Sequence, residues 1–327
     1  MMRQWIGILL ALPLAGYAQK AVGTADRALG IPQVLWHAPH PLSAEEWTCG
    51  PGGCSQAPKP PFQFVKEDLT GSNLKVLVRD ANGREWDVKF GGETIPECFA
   101  PRFLNAVGYR GETTFCVGSG KIEGVKGLRR AHYVIHKDGT FRKGRFEARN
   151  QPDFEFLKGQ SWAWDNNPFS GSHELAGLKV VMMLLSNWDA KDVRDGEESN
   201  NAVFRATGAN GPELDFVVFD WGASLGQWGG KGRRDKSDCS GYWIDTPHFV
   251  EQAGPNGLRW SYSGKRDEEI KRGISVDDIR WLTPYLSKLT KEQLQAGLKA
   301  SGATDRQAAC WASAIDNRTR QLEAVAK

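Results

Sequence analysis

Four short segments carry residue types that could do chemistry together. Lys89 sits near the end of an alternating run, Glu85-Trp-Asp-Val-Lys-Phe90, and Glu97 follows it by eight residues. Asn187-Trp-Asp189-Ala-Lys191 comes directly after a long apolar stretch, and Phe219-Asp220-Trp221-Gly222 directly after an apolar strand-like run. A lysine on a strand, a glutamate on the next helix, an aspartate in a loop and an Asp-x-Gly at a strand end occur in the order that phosphoryl transfer from a nucleotide requires. The lysine steadies the phosphates and the glutamate orients the lysine. One aspartate takes the acceptor proton, and the second holds the metal that neutralises developing charge. Each residue also has a plain structural reading. Lys89 alone would be a solvated lysine on a strand, Asp220 a turn residue, and Asp189 a loop carboxylate paired with Lys191.

The elements that must position them can be read from periodicity. Leu74–Val78 and Glu85–Phe90 alternate about Asn82-Gly83, a strong hairpin signal. Phe99–Val107 reads as a helix ending at Gly108, with Pro101 tolerable only in its first turn. Thr113–Val117 and His132–Ile135 read as strands, with a turn at Asp138-Gly139, and Gly118-Ser-Gly-Lys121 as a loop too short for a P-loop. Beyond residue 150 a helix is expected from Ser170 to Leu185, then strands at Ala202–Phe204 and Leu214–Phe219. Three C-terminal helices open at Ser275, Thr290 and Thr304, each with an acidic or amide residue three positions on. A strand-rich half followed by a helix-rich half is an α+β, two-lobed plan. The boundaries expected are 1–18, 19–61, 62–150 and 151–327.

From about Phe62 to about Gly230, these motifs resemble the protein-kinase-like superfamily, in its atypical branches: phosphoinositide-kinase-like, HipA-type and secretory-pathway kinases. The chain is also similar to exported bacterial proteins carrying the same Asn-Trp-Asp-x-Lys and Asp-Trp-Gly-Ala-Ser segments. The resemblance implies a two-lobed kinase-like fold that binds ATP or another nucleotide with Mg²⁺ or Mn²⁺. By it, Lys89 anchors phosphates with Glu97 as partner, and Gly71-Ser72-Asn73 is the phosphate-covering turn. Asp189 with Lys191 forms the catalytic loop, and Asp220 is the metal ligand. Five residues after Asp189, where such loops carry a metal-binding Asn, this chain has Arg194; Asp195, Asn200 and Asn201 are the residues available instead. Glu93 is equally able to pair with Lys89, and the glycine turn has one glycine where kinases have three.

Composition bounds the rest. A balance of 42 basic against 39 acidic residues leaves +3, which argues against a nucleic-acid binder. Arg3, the apolar run Trp5–Ala15 and Gly16-Tyr-Ala18 have the layout of a signal peptide, so the protein is expected to be exported to the periplasm or beyond, with no membrane span in the mature chain. Its six cysteines then read as disulfides, Cys49–Cys54 being the natural local pair, with zinc ligation the rival. Residues 19–61, rich in Pro and Gly, read as an arm laid over the body. The acceptor hydroxyl could belong to a protein, lipid or glycan, and the group transferred could be phosphoryl or nucleotidyl. Two other functions fit the sequence: an inactive kinase-fold binding module, or a glycan-binding or glycan-active protein using Trp162, Trp164, Trp228, Trp243 and Trp260. Buried core is the competing use of those tryptophans. Gly226–Lys236 is a basic stretch suited to an anionic acceptor or to solvent. His173 reads as structural.

Overall fold

The computed structural model describes residues 30–327, apart from Pro51, Ser72, Asn150, Pro152, Ala209, residues 229–233, Ala253, Pro255 and Asn256. The expected signal peptide, Ser72 and the centre of the basic stretch lie outside the described residues. The chain begins with β1 (Gln33–Val34) and α1 (Ala44–Cys49). Then come β2 (Phe62–Asp68), β3 (Leu74–Arg79), β4 (Glu85–Phe90), α2 (Thr94–Ala106), β5 (Thr114–Glu123) and β6 (Thr140–Ala148). The five strands β2 to β6 close into a barrel of order β2-β3-β4-β6-β5, sealed by parallel pairing of Phe62 with Ile122. Period-two alternation sends Val76, Val78, Trp86, Val88 and Phe90 into its interior, with Phe115, Phe141 and Phe146. The same alternation turns Lys75, Asp87 and Lys89 outward, on a face shared with Arg145 and Glu147.

Three expectations change here. The helix after Lys89 starts at Thr94, so Pro101 stands well inside it. Proline has no N–H to offer the carbonyl four residues back, and that carbonyl, on Glu97, instead accepts from the Thr114 hydroxyl at 3.1 Å. His132–Ile135 is not a strand: Ala131–Tyr133 forms a 3₁₀ turn because the Glu67 carboxylate collects the N–H groups of Arg129, Arg130 and Ala131. Gly118–Lys121 is not a loop but part of β5, where Gly120 leaves room for Phe141: a Cβ there would lie 2.8 Å from the ring.

Next come β7 (Phe154–Phe156), α3 (His173–Leu184), β8 (Asn201–Gly208) and β9 (Gly211–Val218). They give a second sheet, ordered β1-β9-β8-β7. The cap of α3 is Ser172 rather than Ser170, and every residue from Leu175 to Leu184 is buried. The short hairpins β10–β11 (Gln227–Trp228, Arg234–Asp235) and β12–β13 (Val250–Gln252, Leu258–Trp260) flank α4 (Cys239–Ile244). Helices α5 (Asp267–Lys271), α6 (Val276–Leu286), α7 (Lys291–Ala300) and α8 (Asp305–Ala326) complete the chain. The boxes at Ser275, Thr290 and Thr304 cap the last three as their spacing predicts. Trp162, Trp164 and Trp260 are buried in this core, together with Trp47 of α1, so these three cannot line a glycan groove; Trp228 and Trp243 are half-buried. No helix among the described residues is long and apolar enough to cross a membrane.

All six cysteines pair, as Cys49–Cys54, Cys98–Cys116 and Cys239–Cys310, which suits an oxidising compartment and leaves none for zinc. The second bond ties α2 to β5. The third ties α4 to α8.

One buried cation organises the end of α3. Arg318 of α8 donates to the carbonyls of Met183, Leu184 and Tyr242 and to the Ser186 and Thr246 hydroxyls, and its guanidinium lies 3.7 Å from the centre of the Tyr242 ring. The carbonyls of Met183 and Leu184 are at the root of the loop that carries Asn187 and Asp189. Arg318→Ala strands several buried acceptors, each costing about 1–3 kcal/mol. We expect it to lower unfolding free energy by about 3–5 kcal/mol in urea denaturation, whereas Arg320→Ala, on the exposed face of the same helix, should change it by less than about 0.5 kcal/mol.

Candidate active site

Lys89 projects from β4 toward the first turn of α2. Its ammonium is bonded to Glu97 Oε1 and lies 2.6 Å from Glu93 Oε2. Register sets Lys89 directly opposite Lys75 on β3 and Arg145 on β6. Arg145 Nε is 3.3 Å from Glu97 Oε2, and its Nη2 is 2.7 Å from Glu147 and 3.2 Å from Glu112. Burial alone would discharge Lys89, but Glu97, Asp220 and Glu93 outweigh it and hold the ammonium above its ordinary range. Burial likewise pushes the Glu97 carboxyl up, against the pull of Arg145 and Lys89. Glu93 is also bonded to Lys236 and accepts from Asn73 Nδ2 at 2.9 Å. Burial raises Glu93 as well, but Lys89 and Lys236 prevail and bring it down to about 2.

The Asp220 turn closes against this cluster. Asp220 Oδ1 accepts the Gly222 N–H at 2.9 Å. A Cβ on Gly222 would lie 2.9 Å from Glu93 and from Glu97 Oε1, so only glycine lets the turn approach the two carboxylates. Asp220 is close enough to act electrostatically on Lys89, Glu97 and Arg145 at once.

The Asn187–Lys191 loop is bonded to the same turn. Asn187 Nδ2 donates to Asp220 O at 3.0 Å, its Oδ1 accepts from Asp189 N at 3.2 Å, and Trp188 N donates to Ala223 O at 3.2 Å. Tyr262 and Asn200 brace it, the phenol on Asn187 O at 2.5 Å and the amide on Asp189 O at 2.6 Å. Asp189 lies between two lysines, with Lys191 at 3.4 Å and Lys265 at 3.3 Å.

Asn200 and Asn201 separate at this point. Asn200 joins the Asp189 loop to the Asp220 strand, since its backbone also accepts from Phe219 N at 3.0 Å. Asn201 is buried and donates to Trp162 O at 3.1 Å, away from Asp189. Arg194 grips Asp192 (Nε to Oδ1 2.9 Å, Nη2 to Oδ2 2.5 Å) and reaches Asp165 and Glu269. Asp195 is spent on Arg266 at 2.7 Å and on capping Asp192. Gly71 sits in the β2–β3 turn at φ +65°, its carbonyl held by Arg130 at 3.0 Å. Beneath it a cavity of about 300 Å³ is bounded by Asn73, Lys75, Asp87, Lys89 and Arg145.

Lys89, Glu93, Glu97, Gly222 and Asp220 therefore form one constellation, with Asp189, Lys191 and Asn200 bonded to it through Asn187. The arrangement can hold an anion at Lys89 and Arg145, and a divalent cation on hard oxygens at Asp220 and Asn200. Arg145, Glu112 and Lys265 were not singled out from the sequence, and Lys236 was noted only as the end of the basic stretch. Only pairing register brings Arg145 to Lys89, and only tertiary packing brings in the two lysines. His173 bonds Asp278 at 2.6 Å, a structural contact.

Among solved structures, a crystal structure of the Golgi casein kinase is similar over 82% of this chain and 74% of that chain, at 10% identity and a TM-score of 0.36. No family model matches the chain. No curated protein matches it either.

The depressed Glu93 acidity has a consequence for stability. Its folded value of about 2 lies below its ordinary 4.5, so the ionised form stabilises the fold. That contribution is fully present above about pH 4.5 and is lost as pH falls toward 2. Melting temperature recorded against pH should therefore fall less steeply over this window in Glu93→Gln than in the parent protein.

Proposed function

We infer that the protein is an exported phosphotransferase of kinase-like, two-lobed architecture, binding a nucleotide with Mg²⁺ or Mn²⁺ between the barrel and the helical part. The observation that carries this reading is the buried Lys89–Glu97 pair with the Asp220-Trp-Gly222 turn packed against it. In nucleotide phosphotransferases a strand lysine paired to a helix glutamate, and an aspartate that binds metal, must be in place together. Here the lysine is on the third strand of the barrel, and the glutamate is on the helix that follows it.

In this reading Lys89 and Arg145 bind phosphate oxygens below the Gly71 turn. Asp220 and the Asn200 amide oxygen would hold the metal, whose role is to neutralise charge on the phosphates. The donor set fits a hard divalent cation that keeps most of its ligands from water and phosphate. Asn200, eleven residues after Asp189, takes the place that Arg194 cannot, because Arg194 is committed to Asp192. Asn201 is left out. Asp189 orients the acceptor hydroxyl and receives its proton as the oxygen attacks the terminal phosphorus and the bond to the leaving phosphate breaks. Lys191 is the nearest cation to that transfer from its own loop.

The test is a thermal-shift titration of the mature, oxidised protein with ATP, with and without Mg²⁺ or Mn²⁺. Binding to the native state alone at a hundredfold excess over Kd stabilises it by about 2.7 kcal/mol. The metal-dependent shift is expected to be lost in Asp220→Asn and reduced at least tenfold in affinity in Lys89→Met, both variants remaining folded. Nucleotide binding unchanged in both would overturn the assignment. A folded protein that binds no nucleotide under either metal would make it a binding module.

A further inference from the structure

A second cluster of ligating side chains lies away from the cleft, where the segment after β1 crosses β9. Gln33 and Val34 pair in parallel with Leu214 and Asp215. Glu213 and Asp215, two residues apart on β9, face the same way. The chain then turns so that His37 hangs over them. Its Nε2 is 3.0 Å from Asp215 Oδ1 and 3.6 Å from Glu213 Oε1.

Charge does not balance in this cluster. Asp215 is 1% exposed, and its Oδ2 accepts no aligned hydrogen bond among the described residues. The permanent cation on these two carboxylates is Arg110, whose Nε is 2.9 Å from Asp215 Oδ2 and whose Nη2 is 3.3 Å from Glu213 Oε1. A buried net negative charge is costly unless something neutralises it. A divalent metal ligated by the imidazole would meet that need.

We propose that His37, Glu213 and Asp215 form a zinc site. The three donor atoms all lie within 4.8 Å of one another. Ligand atoms about 2.0–2.1 Å from a tetrahedral zinc stand about 3.3–3.4 Å apart, and the observed 3.0 and 3.6 Å fall on either side of that separation. One imidazole and two carboxylates suit zinc. Calcium and magnesium prefer six or more oxygens. Arg110 holds Asp215 through Oδ2 and leaves Oδ1 for the metal, the support that ligating carboxylates usually have, whereas at Glu213 Oε1 the metal would take over from Arg110 Nη2. His37 and Arg110 also border a cavity of about 390 Å³.

Such a site would act as a brace. His37 N and Trp36 Nε1 donate to Gly108 O and Val107 O, just past the end of α2, at 2.8 and 2.9 Å. β9 leads within two residues to Asp220. Zinc would join the end of the helix that carries Glu97 to the strand that delivers Asp220. The proposal does not depend on nucleotide use.

The experiment is isothermal titration of the mature, metal-stripped, oxidised protein with Zn²⁺ in the absence of nucleotide. Visible absorption on Co²⁺ addition serves as an independent report of low-coordinate ligation. One equivalent should bind, with affinity reduced at least tenfold in His37→Gln and in Glu213→Gln and retained in Asp220→Asn. Melting curves without metal establish that each variant is folded; His37, a third exposed, is the substitution the fold tolerates most readily. Absence of binding, binding indifferent to both variants, or binding lost in Asp220→Asn would each overturn the proposal.

Discussion

A lysine with little access to water has to be compensated, and the arrangement of the residues around Lys89 follows from how it is compensated. Glu97 and Glu93 reach it from one turn of α2, and Asp220 reaches it from the opposite side. Arg145 then balances Glu97, Glu112 and Glu147. Removing any single member would leave the remaining buried charges less well compensated. The barrel, the helix and the Asp220 turn are thereby fixed relative to one another by charge as well as by packing.

Covalent and hydrogen-bonded supports keep this cluster in place. The Cys98–Cys116 bond begins one residue after Glu97 and ends on the β5 residue that faces Arg145 in register. It thus clamps the carboxylate and the guanidinium from the same side. Thr114 supplies the hydrogen bond that Pro101 withholds from the Glu97 carbonyl. On the other side of the cleft, Arg318 secures the end of α3 and Asn187 links the Asp189 loop to the Asp220 turn. Rigid outer partners of this kind let a site hold charged groups within a few tenths of an ångström.

Parts of this were legible without coordinates. The capping boxes at Ser275, Thr290 and Thr304 are local chemistry, three residues long, and the helices begin where they predict. The Asn82-Gly83 hairpin and the alternation around it were equally local, and so was the Cys49–Cys54 pair. What misled was also local. His132–Ile135 alternates like a strand, but a distant carboxylate, Glu67, takes up the neighbouring amide groups and makes a turn. Pro101 reads as part of a first turn, yet it stands inside the helix, where a hydroxyl from another element satisfies the carbonyl it leaves free.

The chain order Lys89, Glu97, Asp189, Asp220 is a property of the sequence, and so are the strand ends and the loop that carry Lys89, Asp220 and Asp189; that Glu97 falls in a first turn follows from the helix starting at Thr94. Side-chain type and short-range periodicity are enough for that, because they depend on neighbours within one or two turns. Which carboxylate pairs with Lys89, which asparagine meets the Asp189 loop, and that Arg145 and Lys236 belong to the cleft were decided by tertiary structure alone. Strand register and barrel closure bring together residues as far apart as Glu93 and Lys236, and no periodicity records contacts at that separation. The His37, Glu213 and Asp215 cluster arises the same way, from one parallel pairing of β1 with β9.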